Sequence, residues 1–402
     1  MELFNEESAR MPPPHRRIRL HFFDSEGEQS LRTKWDRLAI HAEKPPIAEI
    51  PDGLIPQFSR AFMAGSMELN CVFDADNRPV SASTRIRGAG EFADKIKPEP
   101  VKFEGAARDG RTAYLLGANA RHFGHFLLEA FSRAWAWDGS RHQVAIILAP
   151  PILEFARSLC AFLPGLAERM EVIERTTRFH HVTVPSSAFS ISREANVEFK
   201  RMCERVAENA VPSPEAVTEQ PVYLSRARLK PNSRRALLGE SRLERLFESE
   251  GFRIVHPETL SIVEQIAVVN RHKWIVAPMG SACHSRLFSC QANNLLMLTS
   301  DSVHPNYVLC DLLSEGVAHY ANVFWSPDLG GRVPASMKPV MLKEDRILAL
   351  LKDFGLVGAG ARFDKPPVDF DADMERSIET TKQRAKERTK REEERRAKQR
   401  HS

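Results

Sequence analysis

In the stretch RHFGHFLLEAFSRAWAW, Arg121 to Trp137, the residues His122, His125 and Glu129 follow an i, i+3, i+7 spacing. On a helix that spacing puts all three on one face. Leu127, Leu128, Phe131 and Trp135 supply the other, apolar directions. A polar stripe on a mostly buried helix is costly unless its groups are paired or line a cleft. A carboxylate four residues from a histidine can orient the imidazole, which suits a general base. A satisfied structural His–Glu pair, or partly exposed residues on an amphipathic helix, would leave the same spacing.

A second group lies in YLSRARLKPNSRR, Tyr223 to Arg235. Here a strand runs into a loop carrying Arg226, Arg228, Lys230, Arg234 and Arg235. The planar guanidinium fork matches phosphate oxygens, so the loop is a candidate diphosphate clamp. A solvated basic loop is the plain alternative. The third group is IVAPMGSACHSRLF, Ile275 to Phe288, where a buried strand meets Gly280-Ser281-Ala282 and then a helix start. Small residues let backbone N–H groups approach an anion, and a helix N-terminus favours negative charge. The stretch is neither a Walker motif nor G-x-G-x-x-G, and a simple tight turn would also account for it.

Metal chemistry finds no support in the spacing. No zinc pattern occurs. Asp371 and Asp373, in FDADM, lie beside the charged end of the chain, and DADN at 74–77 reads as a hairpin turn.

The elements that must position these groups follow from apolar patterning. The 402 residues suggest two domains, and 42% hydrophobic with 27% charged residues is ordinary for a globular protein. A net charge of +4 does not by itself call for nucleic acid or an anionic membrane. The six cysteines are dispersed, as expected of reduced thiols in a cytosol. The first residues are acidic and lack an apolar segment, so no secretory signal is expected, and no apolar run is long enough to span a membrane.

From about residue 121 helical and strand patterns alternate, through VAIILAP, ILEFARSLCAFL, RMEVIE and HHVTVPS. AENAVPSPEAVTEQP, near 207–220, reads as a linker, and a second series follows from VYLSR to AHYANVFW. SRRALLGESRLERLFESEG reads as one amphipathic helix stopped by Gly251. This alternation predicts an α/β fold with largely parallel sheets. The expected organisation is an N-terminal extension at 1–60, an α/β domain at 61–208, a second at 221–355 and a charged tail at 356–402. The tail is either a solvated helix or disordered. It mixes Glu with Lys and Arg and interleaves no aromatic residues, so a specific nucleic-acid partner is not expected.

Taken together, these segments resemble glycosyltransferase family 61, which includes many bacterial capsular-polysaccharide glycosyltransferases. HFGHFLLEAFSRAW resembles the family's Asn-Tyr-x-His-Trp-Leu-Leu-(Glu/Asp) helix. VYLSRARLKPNSRR and GFRIVHPETLSIVEQI resemble its Tyr-(Ile/Leu)-Ser-Arg loop and Pro-Glu-x-Leu-Ser-x-x-Glu-Gln element. WIVAPMGSACHSRLF resembles its Val-Gly-Pro-His-Gly-Ala-Gly-Leu turn, and the likeness covers roughly residues 110–330. His122 stands where the family usually has Asn, Phe126 replaces Trp, and Met279 replaces the His of the turn. Ser281-Ala282 alters the Gly-Ala-Gly stretch.

The resemblance implies a GT-B-like pair of Rossmann-type domains facing a cleft. It implies an inverting, metal-independent transferase that takes a nucleotide sugar as substrate, with no further cofactor. Its acceptor would be a glycan or lipid-linked glycan, as in capsule or cell-surface polysaccharide synthesis. Glu129, His125 and His122 would stand at the catalytic position, with Glu129 preferred as the base and His125 the runner-up. Arg226, with Arg234 or Arg235, would meet the donor phosphates, and Gly280 and Ser281 would approach the nucleotide. Glu258, Glu264 and Gln265 match the remaining donor-side element. The expected place is the cytoplasm, at the inner face of the membrane where the acceptor is lipid-linked. The alternative is a scaffold of the same fold that binds nucleotides or glycans without turnover.

Overall fold

The computed structural model describes residues 17–57, 72–83, 103, 105–117, 122–148, 151–229, 237–329, 333, 338–366 and 370–400. Two six-stranded sheets organise the chain.

The sheet that carries the arginine loop is parallel throughout. Its order is Ile18–His21, Ala318–Asn322, Asn294–Thr299, Trp274–Pro278, Val222–Leu224, Arg253–Val255. Strands such as Trp274–Pro278 are apolar at successive positions because both faces are covered. Ile275, Ala277, Leu295 and Met297 pack with Ile266 and Val269 of helix Ile262–Arg271 and with Leu309 of helix Pro305–Leu313. Val276, Leu296 and Leu298 face the opposite way, onto Leu243 and Phe247 of helix Glu240–Ser249 and Ile347 of helix Glu344–Asp353.

The other sheet is mixed. Thr177–Pro185, Ala107–Gly117, Val144–Ile147 and Met170–Val172 run parallel. Ile47–Pro51 and Leu54–Ile55 pair antiparallel to Thr177–Pro185. The first sixty residues thus give Ile18–His21 to one sheet and two strands to the other. The α/β class expected from the alternating pattern is what the chain adopts.

One apolar core joins the two sheets. Tyr114 and Ile147 belong to the same buried cluster as Val222 and Leu295. Helix Val197–Ala210 bridges them, with Phe199, Met202, Cys203 and Val206 buried in that cluster. Its buried Lys200 donates to the carbonyls of Leu287 and Ser289, at the end of the tight helix Ser281–Phe288.

One departure from a simple pattern reading is local. The segment read as one helix through 233–251 contains a short strand, Leu237–Leu238, and helix Glu240–Ser249 begins only after Gly239, which sits at φ 84°. Gly251, at φ 83°, stops that helix as expected: Gly251 N–H donates to Glu248 and Phe252 N–H to Phe247. After helix Glu344–Asp353, Phe370–Arg400 forms a single helix of 31 residues, in which Thr381 and Ala385 are buried.

Candidate active site

The histidine segment is helical, but its winding changes along its length. Phe123–His125 is an α-turn, Phe126–Ala130 a π-turn and Phe131–Ala136 a 3₁₀ stretch. Such π insertions occur disproportionately at functional sites. His125 Nδ1 lies 2.7 Å from Glu129 Oε1. The imidazole side chain is 47% exposed and the carboxylate 3%, so a buried acid orients an accessible ring. With Nδ1–H given to the carboxylate, Nε2 is the nitrogen left to take a proton. His122 is exposed, its ring 6.3 Å from that of His125. Arg133, from the same stretch, does not join them. Its guanidinium is buried, donating to the carbonyls of Ala82 and Pro185, and burial pushes its pKa down to about 10.

The histidine helix touches the glycine turn of the other half directly. A Cβ placed on Gly124 would lie 3.0 Å from Ser281 Cβ and 3.1 Å from His284 Cδ2. One residue before Ser281, a Cβ on Gly280 would lie 3.5 Å from Arg226 Cδ. Arg226 Nη1 donates to the Met279 carbonyl at 3.3 Å. His125, Gly280, Ser281 and Arg226, distant in sequence, therefore converge on one region.

Two buried residues that sequence reasoning missed support this region. Glu240 accepts from the Arg226 backbone N–H at 2.7 Å, from Tyr223 Oη at 3.0 Å and from Ser225 Oγ at 3.3 Å. It pins the start of the arginine loop to the helix behind it. Burial raises its carboxyl pKa above the usual range, and the bonds from Arg226 and Tyr223 oppose that rise. Its signal in the sequence is an acid directly after a glycine, opening the helix that follows the loop. His284 is fully enclosed, stacked on Tyr307 at 4.6 Å with its Nδ1 3.5 Å from Cys310 Sγ. Burial pushes its pKa down to about 3, with the charges of His125 and His304 adding to the effect, so the ring is neutral.

The remaining donor-side candidates lie beside the loop. The Ser225 N–H donates to Val255, whose strand leads into the turn Pro257–Thr259 bearing the exposed Glu258. Glu264 forms a capping box with Ser261. Gln265 Nε2 donates to the carbonyls of Pro257 and Leu260. Both side chains therefore hold the turn in shape. Arg234 and Arg235 lie outside the described residues. Among the described residues, no group of three or more His, Cys, Asp or Glu could hold a metal ion, and no helix is long and apolar enough to cross a membrane.

An α/β chain that sets an oriented histidine against a cation-bearing glycine turn has the parts for group transfer from an anionic leaving group. Residues 123–297 match the family model Glycosyltransferase 61, which supports placing the chain in glycosyltransferase family 61. The match opens on the histidine helix and spans the arginine loop and the glycine turn. It supports glycosyltransferase activity in general, with a sugar donor and an acceptor as substrates. No curated protein matches the chain.

Proposed function

We propose that the chain is an inverting glycosyltransferase that moves a hexosyl or pentosyl group from a nucleotide sugar to a glycan acceptor. The observation that carries this reading is the packing of Gly124 against Ser281 and His284, which sets the His125–Glu129 pair beside the Gly280–Arg226 turn. The acceptor hydroxyl gives its proton to His125 Nε2 as its oxygen attacks the anomeric carbon from the face opposite the leaving group. The bond from that carbon to the diphosphate breaks, and its electron pair leaves with the phosphate oxygen. Arg226 meets that charge, and the backbone of the glycine turn adds fixed dipoles. Glu129 holds the ring in place and stabilises the imidazolium.

In this reading the two halves act as the domains of a GT-B-like enzyme, and the chemistry needs no metal. The acceptor belongs to capsular or other cell-surface polysaccharide synthesis, reached in the cytoplasm at the inner face of the membrane. The test is ligand-induced thermal shift with a panel of nucleoside diphosphates and nucleotide sugars, with and without Mg²⁺ or Mn²⁺. A ligand at one hundred times its dissociation constant stabilises a fold by about 2.7 kcal/mol. The expected result is a metal-independent shift with one nucleoside diphosphate, absent in Arg226→Ala. No shift with any nucleotide overturns the reading.

A binding protein without turnover is the second reading, and Met279 favours it. Where the family usually presents an imidazole, the Met279 side chain packs against the main core with its sulfur 3.6 Å from Thr299 Oγ1. Nucleotide binding without transfer to any acceptor would select it.

A further inference from the structure

A groove of about 560 Å³ opens on the sheet that leads into the histidine helix, and the transfer chemistry does not use it. Its size falls within the ~300–1,000 Å³ of small-molecule sites. Arg108, Arg111, Arg157 and Arg175 line it, and so do Asp109, Glu171 and Glu174. Arg111 is fixed between two of these acids, with Nη2 2.8 Å from Asp109 Oδ2 and Nη1 2.6 Å from Glu171 Oε1. Ile152 is the part-exposed apolar residue at the groove, while Met170, Ile173 and Phe179 are buried beneath its surface.

Interleaved charge decides what such a groove accepts. A phosphate or an acidic polymer would meet three carboxylates among the four guanidiniums. A hydroxyl both accepts and donates, so neighbouring sugar hydroxyls can take N–H bonds from arginine and give O–H bonds to carboxylates. Helix Glu154–Cys160, which carries Arg157, also packs against the histidine helix, with the Phe155 ring 6.0 Å from that of Phe123 and 5.6 Å from that of Phe126.

We propose that this groove binds a stretch of neutral glycan, a part of the acceptor chain away from its reacting hydroxyl. The acceptor role rests on the transferase reading; binding of neutral glycan does not. The test applies the full-length chain to an array of neutral and anionic oligosaccharides, without donor. It compares wild type, Arg226→Ala and the rim variant Arg157→Ala/Glu174→Gln, with melting temperature as the control for folding. Wild type and Arg226→Ala should retain neutral oligosaccharides, and the folded rim variant should retain them at least tenfold less. No retention by wild type, retention of anionic oligosaccharides alone, or equal retention by the rim variant overturns the inference. Nucleotide binding is read in a separate assay, so failure of the donor site and failure of the groove are distinguishable.

Discussion

Gly124 and His284, which lie on opposite halves of the chain, are packed so closely that a Cβ on the glycine would come 3.1 Å from the imidazole Cδ2. The same atom would come 3.0 Å from Ser281 Cβ. The helix that carries the candidate base therefore sits on the turn that carries the candidate phosphate contacts. Gly124→Ala should push the two apart by a few tenths of an ångström. Small misplacements of reacting groups are costly, about 10²-fold per ångström. Transfer should fall about tenfold while melting temperature stays close to wild type. Adding Ser281→Gly removes the nearer of the two contacts and should restore part of the rate. Full activity in Gly124→Ala would show that the contact does not set the geometry.

The neutral His284 ties stability to pH. Its pKa is about 3 in the folded chain against 6.5 as its ordinary value, so below 6.5 the unfolded chain binds more protons. Its contribution is fully present above pH 6.5 and is lost as pH falls toward 3, at up to about 1.4 kcal/mol per pH unit. Denaturant unfolding of wild type and His284→Gln at pH 7.5, 6.0 and 5.0 checks this. The variant should be less stable at pH 7.5, with a flatter fall below 6.5. Parallel curves would assign the acid sensitivity to other groups.

Glu240 holds three donors of the arginine loop at once. Glu240→Ala leaves buried donors without an acceptor, at roughly 1–3 kcal/mol for each group stranded. Glu240→Gln keeps one acceptor oxygen and should lose less. Nucleotide affinity should follow the same order as stability, because the Arg226 backbone is among the groups released. If Glu240→Ala unfolds with the wild-type midpoint, the carboxylate does not anchor the loop.

Arg286 and Asp311 form a buried pair in the sheet half, 2.9 Å apart and almost fully enclosed, with Tyr320 Oη also donating to Asp311. Removing one partner of such a pair costs about 3–5 kcal/mol. Asp311→Ala should therefore lower the denaturation midpoint sharply, while a surface change such as Glu28→Ala should not.

These residues differ in how far sequence shows them. His125 and Glu129 are legible because helical spacing alone brings them together, and a π-turn does not break that pairing. The parallel strands are legible because a sheet covered on both faces needs unbroken apolar runs. Glu240 is harder to read: Gly239 before it marks a possible break, but the three donors its carboxylate collects lie on a separate strand and loop. The contact from Gly124 to His284 and the pairing of Ile18–His21 with Ala318–Ala321 are long-range events that no local period encodes. Ser261-x-x-Glu264 carries a local signal of its own, the reciprocal cap, beside its likeness to a donor-side element.

The exposures of His125 and Glu129 support different roles for them in the proposed reaction. In the proposed reaction the imidazole, 47% exposed, meets the acceptor hydroxyl, and the carboxylate, 3% exposed, orients the ring. His125→Ala should lower kcat by about 10²–10⁴-fold with little change in KM, as loss of a general base does. Because the position is open, free imidazole added to His125→Ala should recover part of kcat. Glu129→Gln should also lower kcat, since the imidazolium loses its counter-charge, but imidazole should not rescue it. Rescue of Glu129→Ala by formate, with no imidazole effect on His125→Ala, would reverse the assignment and make the carboxylate the proton acceptor.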